Sequence, residues 1–314
     1  MLLTAALLYL ALMAVPRAPA WWLSLPWAVR DLTAPLAVGG GAACLGLGQP
    51  LAGGVLILGA LAGLVRRPPG RRELPPLEGR VLHVATLNAG MHRADPDLVL
   101  RWIRECGADV VALQEVGEDL ALRLAGGEHG YAHHALHGAG IDGMALLSRA
   151  PIEASQVLGA PLHHQVIDLT WEGASIRVLN VHPYFHVAWM GLRAPAAQDV
   201  PRLVELATEG GPALVLGDLN SPPHTRLHDR FVEHGLGDAF ATVGRGAGRT
   251  FPVPLRYLWL PLPPLLRLDH VLHSAHWEPL RCQVGSDASS DHLPLVAALR
   301  LRPSSAPEPA TVPS

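Results

Sequence analysis

Short apolar runs that alternate with amphipathic stretches restrict most strongly how this chain can fold. Aliphatic runs of about four to eight residues between Gly, Pro, Asn or Asp are typical of buried strands, and apolar residues three or four apart are typical of helices. Strand patterns cover residues 81–87, 109–113, 143–147, 166–170, 176–181, 214–216, 268–272 and 294–299, and helical patterns cover residues 95–106, 200–208 and 227–233. This alternation predicts a mixed α/β domain over residues 81–302.

The first 65 residues carry few charges and differ from the rest of the chain. Residues 2–15 and 32–65 contain no Asp, Glu, Lys or Arg. A helix needs about 20 apolar residues to cross a bilayer, so we expect two or three transmembrane helices, with a break at Gln49-Pro50. A signal peptide would explain only the first run. A buried helical hairpin is the other alternative, but Gly39-Gly40-Gly41 and Gly53-Gly54 favour close helix packing in lipid.

The segments on either side of the predicted domain have their own composition. Residues 66–80 are rich in Arg and Pro and predict a linker, and residues 303–314, rich in Pro, Ser and Ala, predict a disordered tail. Arg residues clustered beside a membrane span favour the cytoplasmic side. We therefore expect a multi-pass protein of the cell membrane. The Arg pattern favours a position of the α/β domain on the cytoplasmic side, although the side is not fixed by the sequence. The oligomeric state is open, with a monomer as the simplest expectation.

Charge and cysteine content exclude some classes of function. The first 80 residues hold seven Arg and three acidic residues, which leaves 17 basic and 24 acidic residues, a net charge of −7, for residues 81–314. Non-specific binding of polyanions requires a basic surface, and a net charge of −7 does not favour one. A local patch of Arg residues is still compatible with the sequence. The three Cys are isolated, so neither a structural zinc site nor a disulfide framework is expected.

Polar residues recur where the predicted strands stop. Asp218 and Asn220 follow the apolar run 213–216, and two residues that are two apart on an extended chain point to the same side. A turn alone could account for such an Asp and Asn. Other strand ends carry Asn88, Glu115, His182, Asp269, Asp291 and His292. So many polar strand ends predict a single crevice that all of these side chains line.

Seven motifs resemble those of the endonuclease/exonuclease/phosphatase superfamily. This group includes pancreatic-type deoxyribonucleases, exonuclease III-like repair nucleases, inositol-polyphosphate phosphatases and neutral sphingomyelinases. The motifs occur in the order found in the family and are Thr86-Leu87-Asn88, Leu113-Gln114-Glu115, residues 145–152, Asn180-Val181-His182, Gly217-Asp218-Leu219-Asn220, Leu268-Asp269-His270-Val271 and Ser290-Asp291-His292-Leu293-Pro294. The resemblance implies a four-layered α/β/β/α sandwich.

The resemblance also implies a divalent-metal site. Glu115 is similar to the family's principal Mg²⁺ carboxylate, with Asn88 beside it and Asp291 as a contributor. Hard oxygen ligands suit Mg²⁺ or Mn²⁺.

Catalytic roles follow from the same resemblance. Asp218 and Asn220 match the positions that orient the attacking water and hold the phosphate. His292 matches the imidazole that faces the scissile phosphate, with Asp269 as the carboxylate that orients it. His182 would be a second phosphate donor, for which Asp142 is the candidate carboxylate. Purely structural roles stay open, since Asp269 could instead pair with His270 or a nearby Arg.

Three functions are compatible with these motifs. The first is a membrane-tethered, metal-dependent nuclease or general phosphodiesterase, and the second is a phospholipid-type phosphodiesterase that acts at the membrane. The third is a catalytically silent binding module. An apolar, Pro-rich segment at residues 251–266 predicts a loop directly before Asp269, where it could contact a lipid or fold over the core.

Overall fold

Two six-stranded β-sheets form the centre of the fold in the computed structural model, which describes residues 1–14, 33–65, 76, 79–158, 164–183, 199–223, 225–253 and 263–303. The strands of the first sheet are β1 (Val81–Met91), β2 (Val110–Val116), β3 (His133–His137), β4 (Met144–Ser148), β11 (Trp277–Val284) and β12 (Leu295–Leu301). Their order is β11-β12-β1-β2-β4-β3. In this sheet β1 and β2 run parallel and the other neighbours are antiparallel.

The second sheet repeats this plan. Its strands are β5 (Ile152–Leu158), β6 (His164–Trp171), β7 (Ala174–Val181), β8 (Ala213–Asp218), β9 (Gly237–Asp238) and β10 (Asp269–His273), in the order β5-β6-β7-β8-β10-β9. Here β7 and β8 form the parallel pair. Strand β10 runs antiparallel to β8, with Asp269 opposite Asp218.

The sheets pack face to face, and helices cover their outer faces. The core between the sheets takes side chains from both, for example Leu82 and Val110 from the first and Val178 and Leu216 from the second. Helices α4 (Pro96–Glu105) and α5 (Glu118–Ala125) pack on the first sheet, and α6 (Asp199–Thr208) and α7 (Arg226–Glu233) pack on the second. A short helix, α8 (Ala239–Val243), and a 3₁₀ turn (Gly140–Asp142) complete the described elements of this part. The predicted mixed α/β architecture is confirmed, with two sheets.

The sequence predicted the start of helix α4 correctly but missed several strands at the edges of the sheets. Asp95 caps α4 by accepting from the Asp97 N–H at 2.9 Å, and Pro96 occupies the first turn, as the sequence predicts. The strands missed by the sequence analysis include β3, β5 and β11, which lie at sheet edges. An edge strand tolerates polar residues and Pro because one side pairs with no other strand. Strand β11 carries Pro279, and its register shifts between Pro279 and Arg281.

In residues 1–14 and 33–65, the described portion of the N-terminal part, the structure has three short helices: α1 (Leu2–Ala14), α2 (Ala34–Gly46) and α3 (Pro50–Val65). Helix α3 packs against both others. A Cβ atom on Gly53 would lie 2.7 Å from the Gly41 carbonyl oxygen, so these two glycines permit the close approach of α2 and α3. The predicted break at Gln49-Pro50 is observed, and of the glycines named in the sequence analysis Gly41 and Gly53 lie in the close contact, whereas no atom lies within 4 Å of a Cβ placed on Gly39 or Gly54.

The predicted transmembrane helices are not seen in these residues. The helices contain 13, 13 and 16 residues, which corresponds to roughly 20 to 24 Å at the usual rise, against about 30 Å for a bilayer core. In the described ranges, no helix has both the length and the apolar character that a membrane crossing requires. The predicted linker and tail, and the centre of the Pro-rich segment at residues 254–262, lie mostly or wholly outside the described residues.

Candidate active site

The carboxyl ends of the two parallel strand pairs meet at one place. Asn88 lies in β1 and Glu115 near the end of β2, whereas Asp218 ends β8 and His182 follows β7. The Asn88 amide donates to Oδ2 of Asp218 at 3.0 Å, so groups from the two sheets are in direct contact. The predicted convergence of polar strand ends is therefore observed between the two sheets.

Asn88 bridges two carboxylates. Its Nδ2 donates to Oε1 of Glu115 and to Oδ2 of Asp218, each at 3.0 Å, while its Oδ1 accepts from the Gly90 N–H at 2.9 Å. Both amide hydrogens are thus used, which fixes the orientation of this buried side chain. Burial alone would raise the pKa of Glu115, but the neighbouring His182 and the Asn88 amide outweigh it and hold that pKa below its ordinary value.

His182 lies beside the same two carboxylates. Its Nε2 is 3.3 Å from Oε1 of Glu115 and 3.8 Å from Oδ2 of Asp218. This nitrogen is buried and has no hydrogen-bond partner among the described residues. Burial disfavours the charged ring, but the two carboxylates outweigh it and raise the pKa of His182. The protonated ring has an N–H available for a phosphate oxygen.

His292 and Asp269 form a hydrogen-bonded pair. Nδ1 of His292 donates to Oδ2 of Asp269 at 2.8 Å, and Nε2 lies 3.6 Å from Oδ2 of Asp218. Burial disfavours the imidazolium, but the carboxylates of Asp269 and Asp218 outweigh it and raise the pKa of His292 to about 10. Of the alternatives left open for Asp269, the structure selects the predicted pairing with His292, because His270 bonds elsewhere, to the Ser221 carbonyl.

The segment after β8 holds Asp218 and Asn220 in a tight turn. Oδ1 of Asp218 accepts from the Asn220 N–H at 2.6 Å, and Asn220 has a left-handed backbone with φ 49°. The Asn220 amide donates to the Pro183 carbonyl at 3.0 Å, which ties the end of β8 to the end of β7. Burial raises the pKa of Asp218. A carboxylate with a raised pKa is the better proton acceptor near neutral pH.

Asp291 has a cationic partner. Its Oδ2 lies 2.6 Å from Nη1 of Arg93, and its Oδ1 lies so close to Gly90 that a Cβ there would be 2.6 Å away. Asp291 thus borders the turn after Asn88, but its charge is balanced by Arg93. Its contribution to a metal site stays a prediction.

Asp142 lies in the 3₁₀ turn beside the end of β2, where the Val116 N–H donates to the Gly143 carbonyl at 3.0 Å. No hydrogen bond or ion pair joins Asp142 to His182 in the described part of the chain, since the carboxylates beside His182 are Glu115 and Asp218. The predicted pairing is therefore not formed in this structure, and a catalytic role for Asp142 stays a prediction.

The donor set fits a hard divalent cation at Glu115. Asn88 and His182 both contact Oε1 of Glu115, and no described residue bonds to Oε2. Carboxylate oxygens are the ligands that Mg²⁺ prefers in proteins. Asn88 differs from the expectation in one respect, because its carbonyl oxygen is engaged by the Gly90 N–H and its nitrogen faces the carboxylates.

Two further residues of the site were not singled out from the sequence. The Ser290 hydroxyl donates to the Asn88 carbonyl at 2.6 Å and accepts from the His292 N–H at 3.1 Å, so it connects β1 to His292. The Phe251 ring lies 4.7 Å from the His292 ring. Ser290 opens a motif that was recognised, so the sequence contained a signal for it. Phe251 opens the apolar segment 251–266, which was predicted to lie before Asp269, and the structure places its neighbours beside His292: the Leu293 N–H donates to the Thr250 carbonyl and the Val253 N–H donates to the Asp291 carbonyl, each at 2.8 Å.

Comparisons with known proteins agree with this geometry. The family model described as "Endonuclease/Exonuclease/phosphatase family" matches residues 85–292. The "Uncharacterized protein YbhP" of Escherichia coli (strain K12) is 27% identical over 241 residues, which cover 63% of this chain and 86% of that protein.

Solved structures show the same fold at low sequence identity. An endonuclease/exonuclease/phosphatase from Bacteroides vulgatus superposes with a TM-score of 0.59 at 19% identity, covering 71% of this chain and 100% of that chain. A 3′ phosphatase from Neisseria bound to product DNA hairpin superposes with a TM-score of 0.54 at 22% identity, covering 69% of this chain and 98% of that chain. Because the family model spans well over half of its length, the chain belongs to the endonuclease/exonuclease/phosphatase family.

Proposed function

We propose that this protein is a divalent-metal-dependent phosphodiesterase of the nuclease type. The observation that carries the proposal is the position of His292, which is held by Asp269 at 2.8 Å and lies 3.6 Å from the buried Asp218. An imidazolium and a carboxylate with a raised pKa that lie next to each other supply a proton donor and a proton acceptor for hydrolysis.

The residues divide the work as follows. Asp218, oriented by the Asn220 N–H, accepts a proton from the water that attacks phosphorus. As the phosphorus–oxygen bond on the opposite side breaks, Nε2 of His292 gives its proton to the leaving oxygen. The Nε2–H of His182 stabilises negative charge on a non-bridging oxygen. Water is consumed, and one alcohol and one phosphate monoester are formed.

Glu115 is the residue that we assign to hold the metal, with Asn88 fixing its carboxylate. When bound, a divalent cation neutralises charge on the phosphate. The Neisseria relative is a 3′ phosphatase bound to product DNA, which supports a nucleic-acid substrate as the first class to test.

The test is hydrolysis by the purified full-length chain with plasmid DNA, an RNA oligonucleotide and phospholipid vesicles, each with Mg²⁺, with Mn²⁺ or with a chelator. We expect metal-dependent cleavage of a nucleic acid, which is lost in Glu115→Gln. Phospholipid cleavage alone would favour the second candidate below. Binding without turnover of any substrate would favour a silent binding module and overturn the proposal.

A phospholipid-type phosphodiesterase that acts at a membrane is the second candidate, and the N-terminal helices favour it. They contain no charged residue, and Leu8, Leu36 and Leu51 have relative solvent accessibilities of 68%, 76% and 72%. We propose that residues 1–65 attach the protein to a membrane, which would remove these leucines from water. Flotation of the full chain with vesicles should be lost in the Leu36→Glu/Leu51→Glu variant, and equal flotation of both proteins would refute the attachment.

A further inference from the structure

A buried polar network lies behind β10, on the face opposite the catalytic pair. Successive residues of a strand point to opposite faces, so Asp269 points to His292 and His270 points away from it. Behind the strand, Arg267 donates two hydrogen bonds to Asp238, at 2.9 and 2.6 Å, and Nε2 of His228 lies 3.0 Å from the same carboxylate. All four of these side chains behind β10 are buried.

This network is not arranged to hold a cation. Ligand atoms of His228, Asp238 and His270 lie within 4.8 Å of one another, which is close enough for a metal. Both oxygens of Asp238, however, already accept from Arg267, and burial of a further positive charge beside that guanidinium would be costly. The charge of Asp238 is therefore balanced by Arg267, and the network is better explained by its contact with the turn after β8.

His270 connects the network to the catalytic turn. Its Nε2 lies 2.9 Å from the carbonyl oxygen of Ser221, the residue that follows Asn220. Leu268, the residue before β10, holds the same turn through the backbone, because the Leu219 N–H donates to its carbonyl at 2.9 Å. This backbone bond and the buried imidazole add to the two bonds of the turn described above, from the Asn220 N–H to Asp218 and from the Asn220 amide to Pro183.

The surroundings determine which nitrogen of His270 carries the proton. Burial and the nearby Arg267 lower the pKa of His270 well below its ordinary value, so the ring is neutral and has a single N–H. Nδ1 lies 4.0 Å from Oδ2 of Asp238, too far for a hydrogen bond, and has no partner among the described residues. A proton on Nε2 satisfies the Ser221 carbonyl, whereas a proton on Nδ1 would leave two lone pairs facing each other.

We infer that His270 is a positioning residue for the hydrolysis proposed above, because its Nε2–H holds the Ser221 carbonyl and thereby keeps Asn220 and Asp218 in their reactive arrangement. The inference rests on the proposed function. Asn220 has φ 49°, a left-handed conformation that residues with a side chain adopt far less often than glycine, so neighbouring bonds help to hold it. The ring of His228, whose centroid is 5.0 Å away, and the Arg267–Asp238 pair keep His270 in place.

The test compares two substitutions of His270. In His270→Gln the amide nitrogen occupies nearly the place of Nε2 and can still donate to Ser221, whereas in His270→Leu no donor is present. We expect His270→Leu to lower kcat by about 10- to 100-fold with little change in KM, as for a reactive group displaced by roughly 1 Å, and His270→Gln to recover most of the loss. If His270→Leu does not fold, His270→Asn, whose amide is too short to reach Ser221, takes its place.

A coupling measurement separates positioning from a general loss of stability. If His270 acts through Asn220, then His270→Leu should have little further effect on kcat in an Asn220→Ala background. His273→Leu is the matched control. His273 is a buried histidine on the same strand, but its ring bonds to the Ser274 carbonyl. The kcat of the His273→Leu variant should therefore match that of the wild type. Losses that multiply independently, or equal losses in the Gln and Leu variants, would overturn the inference.

Hydrogen exchange gives a readout that does not need activity. Amides of residues 219–221 should exchange faster in His270→Leu than in His270→Gln, while those of β8 are unchanged. If the wild type hydrolyses no phosphodiester, the proposed function fails, but this comparison still shows whether His270 holds the turn. Equal exchange in both variants would refute the anchoring.

Discussion

Removing the Asp269 carboxylate should disable His292 without removing it. The two side chains share a hydrogen bond of 2.8 Å between fully buried groups. A hydrogen bond to a charged partner contributes about 1.5–3 kcal/mol. If all of this energy stabilises the transition state, Asp269→Asn should lower kcat/KM by roughly 10- to 150-fold. Replacing a positioned acid typically costs about 10²- to 10⁴-fold, so His292→Ala should be the more severe change.

The decisive result is the double variant. Because Asp269 acts through His292, Asp269→Asn combined with His292→Ala should be little worse than His292→Ala alone. The assay is kcat/KM on one phosphodiester substrate that the wild type cleaves, with thermal unfolding to check the fold. Asp168→Asn is the matched control, since Asp168 forms an ion pair with Arg177 at 2.9 Å on a partly exposed part of the second sheet. Independent multiplication of the two losses would refute the pairing.

Three further outcomes are expected. Glu115→Gln should abolish metal-dependent hydrolysis with the fold intact, whereas the exposed Glu118→Gln should not; wild-type turnover in saturating Mg²⁺ would refute the assignment. The pKa of His292 is raised to about 10 in the folded protein, against about 6.5 in the unfolded chain. The contribution of the imidazolium to the free energy of unfolding is therefore complete below about pH 6.5 and is lost as the pH rises through 10. An NMR titration of His292 with a midpoint near about 6.5 would contradict this. Gly217→Ala should lower the free energy of unfolding by about 2–4 kcal/mol, because φ is 145° and a methyl group would overlap the Val181 carbonyl; an unchanged midpoint in urea would be inconsistent with that overlap.

The control for the glycine variant is Gly210→Ala. Gly210 has φ 74°, but no atom lies within 4 Å of the position that a Cβ would take, so this substitution should show backbone strain without overlap. It should cost about 1 kcal/mol, and the difference between the two variants measures the close approach of β7 and β8.

Most central strands could be predicted from the sequence because both of their faces are buried. Strands β1, β2, β7 and β8 are apolar along nearly their whole length, so their position was evident without any partner strand being known. The strands that were missed are exposed or irregular, as in β5, where five consecutive residues face water. Their pairing depends on a neighbour that no local pattern identifies.

The predicted transmembrane helices are not found among the described residues, where the apolar helices are too short for a span. The uncharged run of residues 32–65 is long enough for a span, but Gln49-Pro50 divides it into helices of 13 and 16 residues that pack against each other through Gly41 and Gly53. Proline at a first turn begins a new helix, and glycine permits the helices to pack closely. The position of the break was predicted from the sequence, whereas the lengths of the helices on either side of it come from the structure.

By itself the sequence determined which residues stand at the strand ends, because an apolar run that stops at Asn88, Glu115 or Asp218 is a local property of the chain. Only the tertiary structure decided what those residues touch: that Asp269 pairs with His292, that Asp291 meets Arg93, and that Glu115 and Asp218 lie beside His182. It also brought His270, on the other face of the same strand, to the carbonyl of Ser221. The physical reason is that a strand pattern fixes the face on which a side chain lies, whereas its partner is supplied by a second strand or loop far away in the sequence.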